Sequence, residues 1–156
     1  MLDLHLHSSY SDGTLSPEAL VSMARGRRLE LVSITDHDTV DGTGEALAAG
    51  VRHGVRVLSG LELSVSWQSY HFHLLAYDFN WQEEHLRSGL KTLQEARAGR
   101  NRKIIEKLGS IGLPVNEEEL GVIAGRGQTG RPHIARLLVA KKVVGSIDQA
   151  FAQFLG

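Results

Sequence analysis

The feature that most constrains this chain is a recurrence of order. An alternating apolar run ends in histidine, a helix signal follows, and the next apolar run ends in histidine again. Side chains two apart on a strand share a face. In the first run Leu2, Leu4 and Leu6 therefore lie on one side, and Asp3, His5 and His7 on the other. Ser8 to Gly13 is turn-rich. Ser16-Pro17-Glu18 then reads as a helix start, with Ser16 as N-cap and Pro17 in the first helical position, and the helix runs to about Arg28. Leu31 to Thr35 is a second strand, closing on Asp36-His37-Asp38. A short helix over roughly Gly44 to Ala49 and a third strand over Val55 to Leu58 follow. Leu61 to Trp67 and Tyr70 to Tyr77 alternate around Gln68-Ser69, the pattern of a hairpin. Strands separated by helices favour a mainly parallel α/β sheet or barrel.

From about Trp81 the texture changes. Leu86, Leu90, Leu93, Ile104, Leu108 and Ile111 recur at helical spacing, which predicts one long helix loosened near Gly99. Shorter helices are expected over Glu117 to Ala124, Pro132 to Val144 and Ser146 to Leu155. The expected organisation is an α/β part over 1–80 carrying the chemistry and a mostly helical insertion or cap over 81–156.

Composition removes several classes of function. The chain has no cysteine, so disulfide scaffolds and thiolate chemistry are excluded. A metal would have to be held by nitrogen and oxygen, which suits zinc, manganese or iron(II). A formal net charge of -1 gives no global field toward nucleic acid or an anionic membrane. With no membrane-length apolar run and no signal-peptide pattern at the N-terminus, the expectation is a cytoplasmic protein.

The eight histidines are unevenly placed. His5 and His7 can face one ion from the end of the first strand, Asp12 lies in the following loop, and His37 sits directly after the second strand. In parallel α/β folds ligands gather beyond the C-terminal ends of strands, and two strands place candidates there independently. Glu62 follows the third strand, and His71 and His73 share a face of the return strand and compete for one role. Asp3, Asp36 and Asp38 are candidates to orient imidazoles. His53 and His85 read as surface residues. Each residue alone has a plain structural explanation; the recurrence at strand ends is what points to a metal cluster.

These residues resemble the PHP (polymerase and histidinol phosphatase) family of metal-dependent phosphoesterases. The matching runs are Asp3-Leu4-His5-Leu6-His7-Ser8 with Ser11-Asp12-Gly13, Ile34-Thr35-Asp36-His37-Asp38-Thr39, Gly60-Leu61-Glu62-Leu63-Ser64 and His73-Leu74-Leu75. Thr129-Gly130-Arg131-Pro132-His133-Ile134-Ala135-Arg136 is similar to the bacterial branch acting on nucleoside 3',5'-bisphosphates and short RNA 5' ends. The resemblance implies a distorted (βα)7 TIM-like barrel with a helical insertion over a site of two or three divalent ions (Mn, Zn or Fe). It implies His5, His7, Asp12, His37, Glu62 and His73 as metal ligands, and so favours His73 over His71. His37 and Glu62 then stand at the centre of catalysis, with no separate protein nucleophile. The family's later His-Pro turn and Asp-x-His ligands have no counterpart after residue 133, so the chain is expected to be the N-terminal portion of a longer protein.

The chemistry so implied is phosphomonoester hydrolysis by a metal-bound hydroxide on small nucleotides or short RNA. Arg131 and His133 flank a helix N-terminus, where free N–H groups favour anions. They read either as a phosphate clamp or as an ordinary capped helix; Arg100 and Arg126 are further candidates. Gly125-x-Gly127-x-x-Gly130 lacks a preceding strand and reads as a mobile loop rather than a dinucleotide fingerprint. Two alternatives stay open: a histidinol-phosphate-type phosphatase, and a catalytically incomplete metal-binding fragment.

Overall fold

The computed structural model describes every residue except Pro114 and Arg126. Four strands form one curled half-barrel sheet in the order β1-β2-β3-β4. They are β1 (Leu2–Leu6), β2 (Leu31–Ile34), β3 (Arg56–Trp67) and β4 (Tyr70–Tyr77). β1, β2 and β3 are parallel, and β4 returns antiparallel to β3 through the expected hairpin. The third strand and the first hairpin arm are one continuous strand, not two. Its first half pairs with β2 and its second half with β4. Gly60 sits at the changeover because β2 crowds it: a Cβ there would lie 2.1 Å from Ser33 Oγ.

Helices α1 (Pro17–Gly26) and α2 (Thr43–His53) supply the crossovers. Ser16 caps α1 as expected, its side chain accepting from Ala19 N–H at 3.2 Å. α2 is longer than its sequence suggests. Gly50 looks like a stop signal, but it lies inside the helix where a Cβ would meet Val57 at 2.7 Å. The helix ends at Gly54, which takes φ 65 and donates its N–H to Gly50 O. Val21, Ala24, Val32, Ala49 and Val55 form the core between these helices and the sheet.

α3 (Glu84–Ser110) is one uninterrupted helix of 27 residues, with no break at Gly99. Its first half packs Leu90 on Val40 and Leu61, with Leu86 and Leu93 alongside. Its second half contributes Leu108 to a cluster with α4 (Glu117–Ala124), α5 (Arg131–Ala140) and α6 (Ile147–Ala150), which runs on into a π-helical turn, Phe151–Leu155. α5 stops before Val144: Lys141 closes it, and Lys142 takes a left-handed φ of 58. Two contacts dock this layer on the loop after β1. Gln128 N–H donates to Tyr10 O at 2.9 Å, and the Arg136 guanidinium donates to Asp12 O. Among the described residues no helix is long and apolar enough to cross a membrane.

Candidate metal centre

The β2–β3 register brings His37 and Glu62 together. Ile34 pairs with Ser59, and the same register continues past the end of β2 as a bridge between His37 and Glu62. Glu62 N–H donates to Asp36 O at 3.2 Å, and Asp38 N–H donates to Glu62 O at 3.0 Å. β1 delivers His5 and His7 from its C-terminal end. On β4, His73 pairs with Ser64 in register, two residues beyond Glu62.

Glu62 is the hub, and it is 4% exposed. Its Oε2 lies 2.7 Å from His5 Nε2 and 2.9 Å from His7 Nε2. Its Oε1 lies 2.6 Å from His73 Nδ1 and 3.8 Å from His37 Nδ1. Asp12 repeats the arrangement on a smaller scale, with Oδ1 3.1 Å from His7 Nδ1 and Oδ2 3.6 Å from His37 Nε2. Three groups result: His5, His7 and Glu62; His7, Asp12 and His37; His37, Glu62 and His73. Ligand-type atoms within each group lie within 4.8 Å of one another. His5 and His73 are about half exposed, so the cluster is closed at its base and open at its rim.

The electrostatics suit cations. Burial would raise the Asp12 carboxyl, but the hydrogen bond from His7 and the charges of His37, His7 and His133 outweigh it and hold the group well below the usual carboxylate range. Glu62 is lowered in the same way, burial being overcome by the His5 hydrogen bond and the surrounding imidazoles. Burial drives His37 down to about 4, so its ring is neutral and ligand-competent at physiological pH. Among the described residues, His37 Nδ1 is buried and has no hydrogen-bond partner. Buried polar atoms are nearly always satisfied, so a buried ring nitrogen without a partner, facing a carboxylate across 3.8 Å, fits a divalent ion between them. An all-nitrogen-and-oxygen donor set fits the same group.

Asp36 and Asp38 hydrogen-bond to hydroxyls, amides and a guanidinium rather than directly to an imidazole. Asp36 accepts from Ser8 N–H at 2.7 Å, Ser8 Oγ at 2.6 Å and Ser11 Oγ at 2.6 Å, which pins the loop carrying Asp12. It reaches His7 only through Ser11, whose Oγ is 3.4 Å from His7 Nδ1. Burial still raises the Asp36 carboxyl despite those bonds. Asp38 binds Ser64 and Arg97. Asp3 accepts from the backbone N–H of His5 at 3.2 Å.

His71 falls outside the cluster, with its Nδ1 2.9 Å from Ser66 Oγ. It lines an open cleft of about 430 Å³ with His73, Ser64, Arg100 and Arg131. Arg131 also donates to Leu155 O at 3.0 Å and lies over the Phe151 ring. His133 is buried and occupied in capping its own helix, its Nδ1 accepting from Gly130 N–H at 3.1 Å. Burial, then the nearby Arg136 charge, lowers its proton affinity. Arg126 lies outside the described residues. His53 closes α2 against Glu18 at 2.6 Å, and His85 is exposed at the start of α3.

Arg97 was not among the sequence candidates, yet it makes the most buried ion pair near the cluster. A signal existed. The apolar stripe of α3 lapses between Leu93 and Ile104, and the inward positions are filled by Gln94, Arg97 and Asn101. Polar residues on a buried helical face call for a reason.

A family model for the PHP domain matches residues 3–109. The chain belongs to the PHP family. It is 34% identical over 155 residues to a 3',5'-nucleoside bisphosphate phosphatase of Chromobacterium violaceum, covering 99% of this chain and 54% of that protein. It is 33% identical over 154 residues to a 5'-3' exoribonuclease of Haemophilus influenzae, covering 99% of this chain and 56% of that one. Among solved structures, a Chromobacterium violaceum chain described as an amidohydrolase, with bound sulfate and no metal, superposes with a TM-score of 0.92 at 33% identity. That match covers 99% of this chain and 55% of the other. The chain spans about half the length of the curated relatives it matches.

Proposed function

We propose that this PHP chain carries the core of a metal-dependent phosphoesterase acting on small nucleotides, either nucleoside 3',5'-bisphosphates or short oligoribonucleotides, in the cytoplasm. The observation that carries the reading is the buried Glu62 carboxylate with two imidazoles on each of its oxygens, beside a cleft that holds Arg100 and Arg131. Two relatives named for such substrates support the nucleotide assignment. The half barrel is then the first part of a (βα)7 barrel, with residues 81–156 as its helical cap.

His5, His7, Asp12, His37, Glu62 and His73 would hold two or three divalent ions of manganese, zinc or iron. Such ions supply a hydroxide nucleophile near neutral pH and neutralise phosphate charge. The side chains do the rest. Glu62 and Asp12 each offer two oxygens to neighbouring imidazole sets and so fix the spacing of the donors. His37, neutral by burial, offers a nitrogen without first losing a proton. Arg100 and Arg131 orient the anionic ester from the cleft side, and guanidinium forks suit phosphate oxygens. His133, buried and capping its own helix, holds the Gly130–Arg131 turn in place beside the cleft.

Phosphate release from a nucleoside 3',5'-bisphosphate and mononucleotide release from a short oligoribonucleotide test this. The protein should turn over one of them with added divalent ion, and lose activity with chelator and in His37→Ala. Full activity of a metal-stripped sample would sink the metal mechanism. Tight metal binding without turnover would leave a metal-binding fragment in its place.

A further inference from the structure

Arg97 is joined to both halves of the candidate metal centre. Its Nη2 donates to Asp38 Oδ2 at 2.6 Å, its Nε to the same oxygen at 3.0 Å, and Nη2 also to Ser64 Oγ at 2.8 Å. Asp38 completes a closed set. It accepts from Ser64 N–H at 2.7 Å and from Ser64 Oγ at 2.8 Å, and its carbonyl accepts from Gln94 Nε2 at 2.9 Å. Asp38 follows His37 directly, and Ser64 lies two residues beyond Glu62 on the same strand face. One helical side chain therefore clamps the segment carrying His37 and the strand carrying Glu62.

The clamp has features that packing alone does not require. The Asp38 side chain is 1% exposed and that of Arg97 10%. Burying such a pair costs desolvation that well-packed apolar residues would avoid. Asp38 also takes a left-handed φ of 53. That conformation is uncommon outside glycine and costs backbone energy, though Asp tolerates it better than most. Three side chains from α3 and β3 hold this residue in place. What the arrangement secures is the direction of the preceding residue, His37, whose buried Nδ1 has no hydrogen bond among the described residues to orient it.

We infer that Arg97 is a positioning residue for the metal centre, acting through Asp38 and Ser64 to fix the His37 imidazole against Glu62. It touches neither metal ligand and is not itself a ligand. Lysine cannot take its place, because three directed N–H bonds from a planar fork are needed where an ammonium offers a single charged point. The inference rests on the metal-binding reading given under Proposed function.

Titration of the protein with Mn²⁺ or Zn²⁺ against a competing chelator, well below its unfolding temperature, tests it. Arg97→Lys should keep the native circular dichroism spectrum yet weaken metal affinity by about 10-fold to 100-fold, the range seen when groups behind metal ligands are lost. Ser64→Ala should weaken it less, and the pair of changes should not be additive, since both act through Asp38. A residue that only stabilises the fold would lower the unfolding temperature and leave metal affinity in the folded state unchanged. That result for Arg97→Lys overturns the inference. Should Arg97→Lys not fold, Gln94→Ala combined with Ser64→Ala carries the test by the same criterion. If the unaltered protein binds no divalent ion, both this inference and the metal-binding reading fall; if it binds and Arg97→Lys binds equally well, only the inference falls.

Discussion

The strand ends and the helical layer solve opposite problems. In the helical layer Ile134, Ala135 and Leu138 are fully buried in an apolar cluster of α3, α4, α5 and α6. At the strand ends the buried side chains include the polar and charged Ser8, Ser11, Asp36, Asp38 and Glu62. Burying carboxylates costs free energy unless each is bonded or paired. Asp36 and Asp38 meet that condition with hydroxyls, amides and a guanidinium, whereas Glu62 meets it only with imidazoles. The contrast separates buried groups whose partners hold the chain together from a buried carboxylate whose imidazole partners are the donor set of the proposed metal centre.

The sharpest way to break that division is to exchange its consequences. Leu138 is 0% exposed in the helical cluster. Leu138→Ala should cost about 2–5 kcal/mol of stability in urea denaturation, the usual range for a buried leucine. Its metal affinity, measured below the transition, should not change. A Leu138→Ala protein that stays folded but loses metal binding would show that the two regions are one cooperative site. Glu62→Gln is the converse. Losing a ligand should exceed the loss of a supporting group, so metal affinity should fall by more than about 100-fold, or roughly 2.8 kcal/mol at 1.4 kcal/mol per decade. Metal-free stability should change by less than in Leu138→Ala. Retained affinity in Glu62→Gln would remove the hub from the proposed centre.

Acid should separate the regions next. His37 is held down to about 4 by burial, against an ordinary value of 6.5. Its folded proton affinity is below its unfolded one, so between those values the unfolded chain binds more protons. Stability of the metal-free protein should therefore fall as pH drops from about 6.5 toward 4. His37→Phe should flatten that slope. Asp12 and Glu62, whose carboxyls are lowered, add an acid loss of the same sign only at lower pH. His7 works the other way: burial is outweighed by the Asp12 bond and by the carboxylate charges of Asp12, Glu62 and Asp36, so its affinity for a proton is raised. Its stabilising contribution is fully present below 6.5 and is lost as pH rises through its folded value. A proton on His7 also competes with a metal, so metal affinity should weaken as pH falls. Calorimetry at several pH values measures both slopes.

What was legible in the sequence follows the same division. Residues whose role is set by local spacing could be read directly: His5 and His7 by alternation, the Ser16-Pro17 start of α1, the hairpin at Gln68-Ser69. Three of the six candidate ligands, His5, His7 and His37, lie at or just past the ends of β1 and β2, where the pattern shows them; Asp12 lies in the following loop, and Glu62 and His73 lie within β3 and β4. Asp36 and Asp38 were legible as polar residues but not as to partner, because Ser8, Ser11, Ser64 and Arg97 reach them over 25 or more residues of chain. The expected helix ends at Ala49 and the expected strand and hairpin arm part between Leu58 and Leu61; at both places the structure continues, with Gly50 and Gly60 accommodating a neighbouring strand.

Gly99 differs from both and gives the smallest and cleanest test. The sequence suggested a loosened helix there, but α3 runs through it without interruption. A Cβ at Gly99 would meet nothing within 4 Å, unlike one at Gly50 or Gly60. No packing argument therefore opposes a side chain, and glycine in a helix interior costs about 0.5–1 kcal/mol relative to alanine. Gly99→Ala should raise stability by about that amount in urea denaturation. Because Gly99 lies between Arg97 and Arg100, a straight helix predicts a second result: metal affinity and phosphate-ester turnover should be unchanged. A helix that needs to bend at Gly99 to bring Arg97 onto Asp38 and Arg100 into the cleft would instead lose metal affinity on Gly99→Ala even as the helix became more stable. That outcome would tie the cap to the strand-end cluster through the flexibility of α3 rather than through its rigidity.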